Sequence, residues 1–92
     1  MRYAIRFRPA ARREFLAMPR KLRLRIVAAL EQLADDPYLP GTEPLRGGLK
    51  GRRKLRVGDY RVVYTVEQDL LVVRAIAIGH RGRVYPGAER RS

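Results

Sequence analysis

The chain has no cysteine, a single histidine and no serine except its last residue, Ser92. Without thiols there is no disulfide and no thiolate nucleophile, a usage that fits a reducing compartment. One His with no Cys supplies no zinc set, and a Ser-His-Asp triad has no serine to build on. Carboxylates are scarce as well. Nine Asp and Glu stand against 21 Lys and Arg, a formal charge of +12. Asp35-Asp36, at the end of a helical pattern, reads as a solvated pair rather than a magnesium site. Gly47-Gly48 and Gly51 do not make a phosphate loop and read as turns. No apolar run approaches the roughly 20 residues that cross a bilayer. The start, Met1 to Phe7, alternates and carries charge, unlike the continuous apolar stretch of a signal peptide. Repeats, heptads and low-complexity segments are missing too. These absences predict a cytoplasmic protein with no metal, no cofactor and no membrane contact, its 92 residues forming one domain.

What is present is positive charge. Such a surface attracts nucleic acid, acidic proteins or anionic membranes and speeds encounter with them. Lys occurs only at positions 21, 50 and 54, the remaining cations being Arg. Arginine suits bidentate phosphate contacts and stacking on bases, although a GC-rich genome produces the same bias.

The strongest local pattern is Lys54-Leu55-Arg56-Val57-Gly58-Asp59-Tyr60-Arg61-Val62-Val63-Tyr64. Two alternating runs flank Gly-Asp, with glycine where a type II′ turn needs it. Alternation sends Leu55, Val57, Tyr60, Val62 and Tyr64 to a core face and Lys54, Arg56 and Arg61 to the other. Lys50, Arg52 and Arg53 precede them, with Asp59 the only acid in this stretch.

Before the hairpin, residues 2–7 read as a strand with Tyr3, Ile5 and Phe7 inward. A helix over about 9–18 carries Ala11, Phe15 and Met18 inward and Arg12, Arg13 and Glu14 outward. A second, over about 20–35, is striped by Leu22, Ile26, Leu30 and Leu33. Pro19 separates them as an antiparallel pair. Residues 36–44, with three prolines and a glycine, read as a loop. A weak edge strand is expected near Leu45-Arg46-Gly47-Gly48-Leu49. Residues 70–79 read as a central strand, with Ala75, Ala77, Gly79 and Arg81 on one face and Arg74, Ile76, Ile78 and His80 on the other. Arg74 fits neither face well. The chain then closes on Arg83-Val84-Tyr85-Pro86-Gly87 and an Arg-rich tail. The order β-α-α-β-β-β predicts an α+β fold: a mainly antiparallel sheet, a helix hairpin on one face and an open cationic face opposite.

Cations and an aromatic suffice for metal-free RNA cleavage. A base takes the 2′-OH proton, cations hold the crowded phosphate, and an acid protonates the departing 5′-oxygen. Lysine serves as that base where nearby cations favour its neutral form, and Lys54 lies among Arg52, Arg56 and Arg61. An aromatic ring such as Tyr85 stacks on a base for roughly 1–3 kcal/mol. The plain alternative is that these cations are solvated and Tyr85 packs locally against Pro86.

The run from Leu55 to Tyr64, followed by Ile78-Gly79-His80-Arg81-Gly82-Arg83-Val84-Tyr85, resembles the RelE/ParE superfamily of toxins. The likeness extends to the N-terminal strand, the helix pair broken at Met18-Pro19, the Pro37 loop and the Leu45-Arg46-Gly47 connector. The resemblance implies a microbial ribonuclease-like fold. For the RelE branch of type II toxin-antitoxin systems it implies ribosome-dependent, metal-independent mRNA cleavage in the A site of the 30S subunit, leaving a 2′,3′-cyclic phosphate. Lys54 matches the general base, Arg61 a phosphate-stabilising arginine, Arg81 the general acid and Tyr85 the stacking ring. Arg52 stands where that branch often has a second lysine, and His80 where its charged residues vary. With these, Lys50, Arg53, Arg56 and Arg83 are the expected RNA and ribosome contacts. The resemblance also implies a cognate antitoxin and a toxin-antitoxin hetero-oligomer. Two other functions stay open: a ParE-like gyrase inhibitor, and a noncatalytic RNA-binding module.

Overall fold

The computed structural model describes residues 2–89. The alternating start forms strand β1 (Ala4–Phe7), with Ile5 and Phe7 leaning on the core. Helix α1 (Pro9–Leu16) begins on its proline, where the first turn needs no backbone donor. Helix α2 (Arg20–Asp35) begins after Pro19 and buries Ile26, Leu30 and Leu33 in one stripe, each side chain contributing about 1.5–3 kcal/mol. It ends at Asp36, whose Oδ1 accepts the Tyr38 N–H at 3.0 Å and turns the chain away. Neither acid of the Asp35-Asp36 pair is idle. Arg2 reaches Glu31 and Asp35 together, and the Tyr3 N–H donates to the Ala34 carbonyl at 2.7 Å. The start of β1 is thereby tied to the last turn of α2.

The remaining elements are β2 (Thr42–Pro44), β3 (Arg53–Val57), β4 (Tyr60–Glu67), β5 (Val72–His80) and α3 (Val84–Glu89). They form a five-stranded sheet in the order β1-β5-β4-β3-β2. Strand β1 runs parallel to β5, and the other neighbouring pairs are antiparallel. The edge strand β2 lies inside the segment expected to be a loop and before the segment expected to supply an edge. Proline is compatible with an edge because its missing N–H faces no partner there. Between Val57 and Tyr60 the turn has Gly58 at φ +60°, with no positive φ at Asp59, as a type II′ turn requires.

Both helices lie on one sheet face. Ala11, Ile26, Leu30 and Leu33 pack there with Leu55, Val57, Val62, Tyr64, Val73, Ala75 and Ile78. Phe7 and Phe15 add a tilted ring contact at 5.5 Å. Glu14 does not simply point outward: its Oε1 accepts the Ile78 N–H at 3.0 Å, beyond the point where β1 stops covering β5. Tyr64 is fully buried and donates its hydroxyl to the Pro37 carbonyl at 2.6 Å, pinning the loop after α2. That hydroxyl is dry rather than solvent-facing.

The opposite face is not wholly open. Its centre is covered by a second apolar cluster of Leu49, Val63, Ile76, Ala77, Val84 and Ala88, with Leu45 and Tyr85 against it. Leu49 comes from a 3₁₀ turn over Gly47–Leu49, Val84 and Ala88 from α3. Helix α3 forms across Pro86-Gly87, where the sequence order predicts no further element. A proline is tolerated in a helix's first turn, where the N–H groups lack intrahelical partners. The Arg-rich end from residue 90 lies outside the described residues.

A bulge re-aims β5. Val63 pairs with Ala77 but Tyr64 with Ala75, leaving Ile76 unopposed. Ile76 and Ala77 therefore both join the second cluster, while Ala75 and Ile78 face the helices. Arg74 finds its account here as well. Its Nε and Nη2 donate to the two carboxylate oxygens of Glu67 at 3.2 and 2.9 Å, a fork-to-fork pair. The hydrogen bond from Arg74 lowers the Glu67 carboxyl below its ordinary range, and the reciprocal bond raises Arg74. Because the folded-state value of Glu67 is depressed, the pair stabilises above the unfolded carboxyl range and is lost as acid protonates Glu67. Among the described residues no helix is long and apolar enough to cross a membrane.

Candidate active site

The sheet register builds the site from its cross-strand rows. In one row Glu43 on β2 faces Lys54 on β3, which faces Val63 on β4 and then Ala77 on β5. The row nearer the hairpin turn runs Arg56, Arg61, Gly79. Side chains directly opposite one another share a face, so Lys54, Arg56 and Arg61 lie together on the face that carries α3. A Cβ on Gly79 would touch Val84 at 3.7 Å. Helix α3 therefore sits close over the small residues Ala77 and Gly79, leaving the cations along one side of it. Tyr85, half-buried against the same cluster, stands at the start of α3.

Arg61 is held by its own turn. Its Nη1 donates to the Gly58 and Tyr60 carbonyls at 3.0 and 2.9 Å. The guanidinium has further N–H groups on Nε and Nη2, the fork geometry that suits a phosphate. Arg81 follows β5 directly, exposed, and its backbone N–H donates to the Asp59 carbonyl at 3.0 Å. This bond fixes Arg81 beside the hairpin turn, one strand away from Arg61. Arg25, reaching up from α2, also crowds this turn: a Cβ on Gly58 would meet its Nη2 at 2.9 Å. Arg83 is exposed in the turn before α3, its N–H donated to the His80 carbonyl at 2.9 Å.

Lys54 Nζ lies 3.5 Å from Glu43 Oε2. Nothing in the sequence pairs these two residues, because Glu43 belongs to a Pro-rich segment and joins Lys54 only through the edge-strand register. Lys50 is exposed just after the 3₁₀ turn, and Arg52 precedes β3, half-buried.

Two expected contacts lie elsewhere. Arg53 turns to the opposite face, where its guanidinium stacks over Tyr38 at 4.9 Å and donates to Thr42 Oγ1 at 2.9 Å. With Tyr64 also at 3.4 Å, Arg53 ties β3 to the loop after α2. His80 meets Tyr60 edge-to-face at 5.8 Å, on the helix side of the sheet. Neither residue joins the row of Lys54, Arg56 and Arg61. Arginine, lysine and tyrosine gathered over a firm apolar floor can hold and polarise a phosphodiester while a ring supports the neighbouring base.

A family model for the ParE toxin of the type II toxin-antitoxin system parDE matches residues 5–85. A putative RelE-like toxin protein of Escherichia coli is 33% identical over 95 residues, spanning 99% of this chain and 98% of that protein. Toxin RelG of Mycobacterium tuberculosis (strain ATCC 25618 / H37Rv) is 31% identical over 86 residues, 92% of this chain and 98% of its own. Among solved structures, the RelBE2 toxin-antitoxin complex of M. tuberculosis aligns with a TM-score of 0.79 at 30% identity, covering 88% of this chain and 100% of the matched one. A free-state mutant of E. coli toxin RelE aligns at 0.76 and 28%, covering 98% and 97%.

Proposed function

The chain belongs to the ParE toxin family of type II toxin-antitoxin systems and is RelE-like in sequence and fold, and from that premise we propose that it is a ribosome-dependent mRNA endonuclease. Its substrate is mRNA in the ribosomal A site, and its product ends in a 2′,3′-cyclic phosphate. The observation that carries this reading is the shared face of Lys54, Arg56 and Arg61, with Arg81 beside the hairpin turn and Tyr85 at the start of α3. Lys54 takes up the 2′-OH proton, Arg61 stabilises the charge of the crowded phosphate, Arg81 protonates the leaving 5′-oxygen, and Tyr85 supports a base by stacking. Lys50, Arg52, Arg56 and Arg83 contribute contacts to RNA and the ribosome. A cognate antitoxin keeps the protein silent. Relatives of the same fold were solved with their antitoxins, and a surface of +12 favours an acidic partner.

Lys54→Ala, Arg61→Ala and Arg81→Ala are expected each to lower cleavage by about 10²-fold or more and to relieve growth arrest. The antitoxin should still bind these variants. Wild-type cleavage by all three would refute the assignment. The family's ParE description favours a second reading, gyrase inhibition. Pulse labelling after induction separates the two. Loss of protein synthesis before any DNA damage response supports RNA as the target, and the reverse order supports gyrase.

A further inference from the structure

Arg25, Arg61 and Arg81 converge on the hairpin turn from different elements. Arg61 donates to the Gly58 and Tyr60 carbonyls, and the Arg81 N–H donates to the Asp59 carbonyl. Arg25 arrives from the helix side of the sheet. It stands on α2 just before the fully buried Ile26, which packs in one cluster with Leu55 and Val57 of β3. A Cβ on Gly58 would meet Arg25 Nη2 at 2.9 Å and Nη1 at 3.4 Å, so the terminal nitrogens point at the turn. Arg2 and Arg74 are paired with carboxylates, whereas none of these turn arginines forms an ion pair among the described residues. Asp59, the acid of the turn, is exposed and forms none there either. Like charges drawn to one turn repel, and an anion laid across it offsets that repulsion.

The sheet register gives the direction in which RNA would cross the turn. Lys54, assigned the 2′-OH proton, lies in the row farther from the turn, Arg61 in the row nearer to it, and Arg81 beside the turn itself. The 2′-OH belongs to the nucleotide before the scissile phosphate, and the departing 5′-oxygen to the nucleotide after it. The downstream nucleotide therefore lies on the turn side, and the strand leaves the cationic face over Gly58. Arg25 stands where that path reaches the helix side.

We propose that Arg25 grips the phosphate directly 3′ of the scissile one, making the hairpin turn a saddle with guanidiniums on both sides. The proposal rests on the ribonuclease reading above. Arg61 and Arg81 serve the reacting phosphate, while Arg25 holds its downstream neighbour and draws that nucleotide across the turn. An arginine fork suits the task because it meets phosphate oxygens through two N–H groups at once. Gly58 serves it doubly, by its positive φ of +60° and by leaving room for the Arg25 guanidinium. No bond changes at this second phosphate, so the contact forms equally in the ground and transition states. Its loss therefore shows in KM rather than in kcat.

The test crosses two proteins with two substrates on programmed ribosomes. Wild type and Arg25→Gln, each freed from antitoxin, cut a synthetic mRNA carrying either a normal phosphate or an uncharged methylphosphonate directly 3′ of the scissile linkage. Arg25→Gln should raise the KM for the normal mRNA about tenfold or more, the worth of a charge-assisted hydrogen bond, with kcat little changed. The methylphosphonate should weaken wild type by a similar factor and leave Arg25→Gln nearly unaffected, so that both changes together cost little more than either alone. Arg25→Lys, which keeps the charge and loses the fork, should recover part of the loss. A merely structural Arg25 would instead lower cleavage of both mRNAs by the same factor. Losses that multiply in this way, or a wild-type KM in Arg25→Gln, would overturn this proposal alone. A wild-type protein that leaves the normal mRNA uncut would overturn the ribonuclease reading and this proposal with it.

Discussion

Tyr64 shows how a single side chain can set the geometry around it. Its ring fills the helix-side core while its hydroxyl donates to the Pro37 carbonyl and lies near Arg53 Nε. Tyr64→Phe keeps the ring but leaves a buried carbonyl without its donor, a change that costs roughly 1–3 kcal/mol. Urea denaturation should show the midpoint falling by that free energy divided by the slope, with the slope itself unchanged. A neutral result would mean that the loop after α2 is held by Arg53 on Thr42 and Tyr38 instead. Arg53 and Lys54, adjacent in sequence, illustrate the same local logic. Strand alternation sends one to a structural clamp and its neighbour to the cationic row. Their charge alone does not distinguish them, whereas the apolar pattern of Leu55 and Val57 does, because Arg53 continues that face.

At the scale of elements, the hairpin turn carries much of the site. Arg61 bonds to its carbonyls, Arg81 to the carbonyl of Asp59, and Arg25 packs beneath it. Gly58→Ala puts a Cβ at φ +60° and against the Arg25 guanidinium. The left-handed backbone alone costs roughly 1–2 kcal/mol, so thermal unfolding should move down by several degrees. Catalysis should drop as well, since two arginines take their position from this turn. The hairpin was legible in the sequence because its signals are local: alternation on either side of Gly-Asp, and one glycine where the turn needs it. The helices were equally legible through their apolar stripes. Other elements were not, for identifiable reasons. Strand β2 is short and contains Pro44, and only pairing with β3 defines it. Helix α3 gains its stability from Val84 and Ala88 packing on the sheet, which outweighs the local signal of Pro86-Gly87. The bulge at Ile76 breaks a period that sequence extends unbroken, so Ala75 was expected beside Ala77 and lies on the opposite face. Glu43 escaped notice because its relation to Lys54 is one of register across an edge.

For the whole molecule, two faces divide the work. The helix face supplies most of the core, and the other face combines a smaller apolar cluster with the cations. That second cluster gives the site a firm floor, since Val63, Ala77 and Val84 stand under and beside the row of Lys54 and Arg61. The excess positive charge speeds encounter with any anionic partner, so on the proposed reading the same surface would meet both RNA and antitoxin. On the proposed reading the row of side chains would decide the chemistry, and the ends of the cleaved RNA would report it. The most direct measurement is primer extension on an mRNA under translation, with the new 3′ ends tested for sensitivity to a phosphatase before and after acid opening of a cyclic phosphate. The account predicts cuts confined to codons in the A site, 2′,3′-cyclic phosphate termini, and loss of both when Arg61 is replaced by alanine. Intact mRNA, or the same cuts from the Arg61→Ala protein, would contradict it.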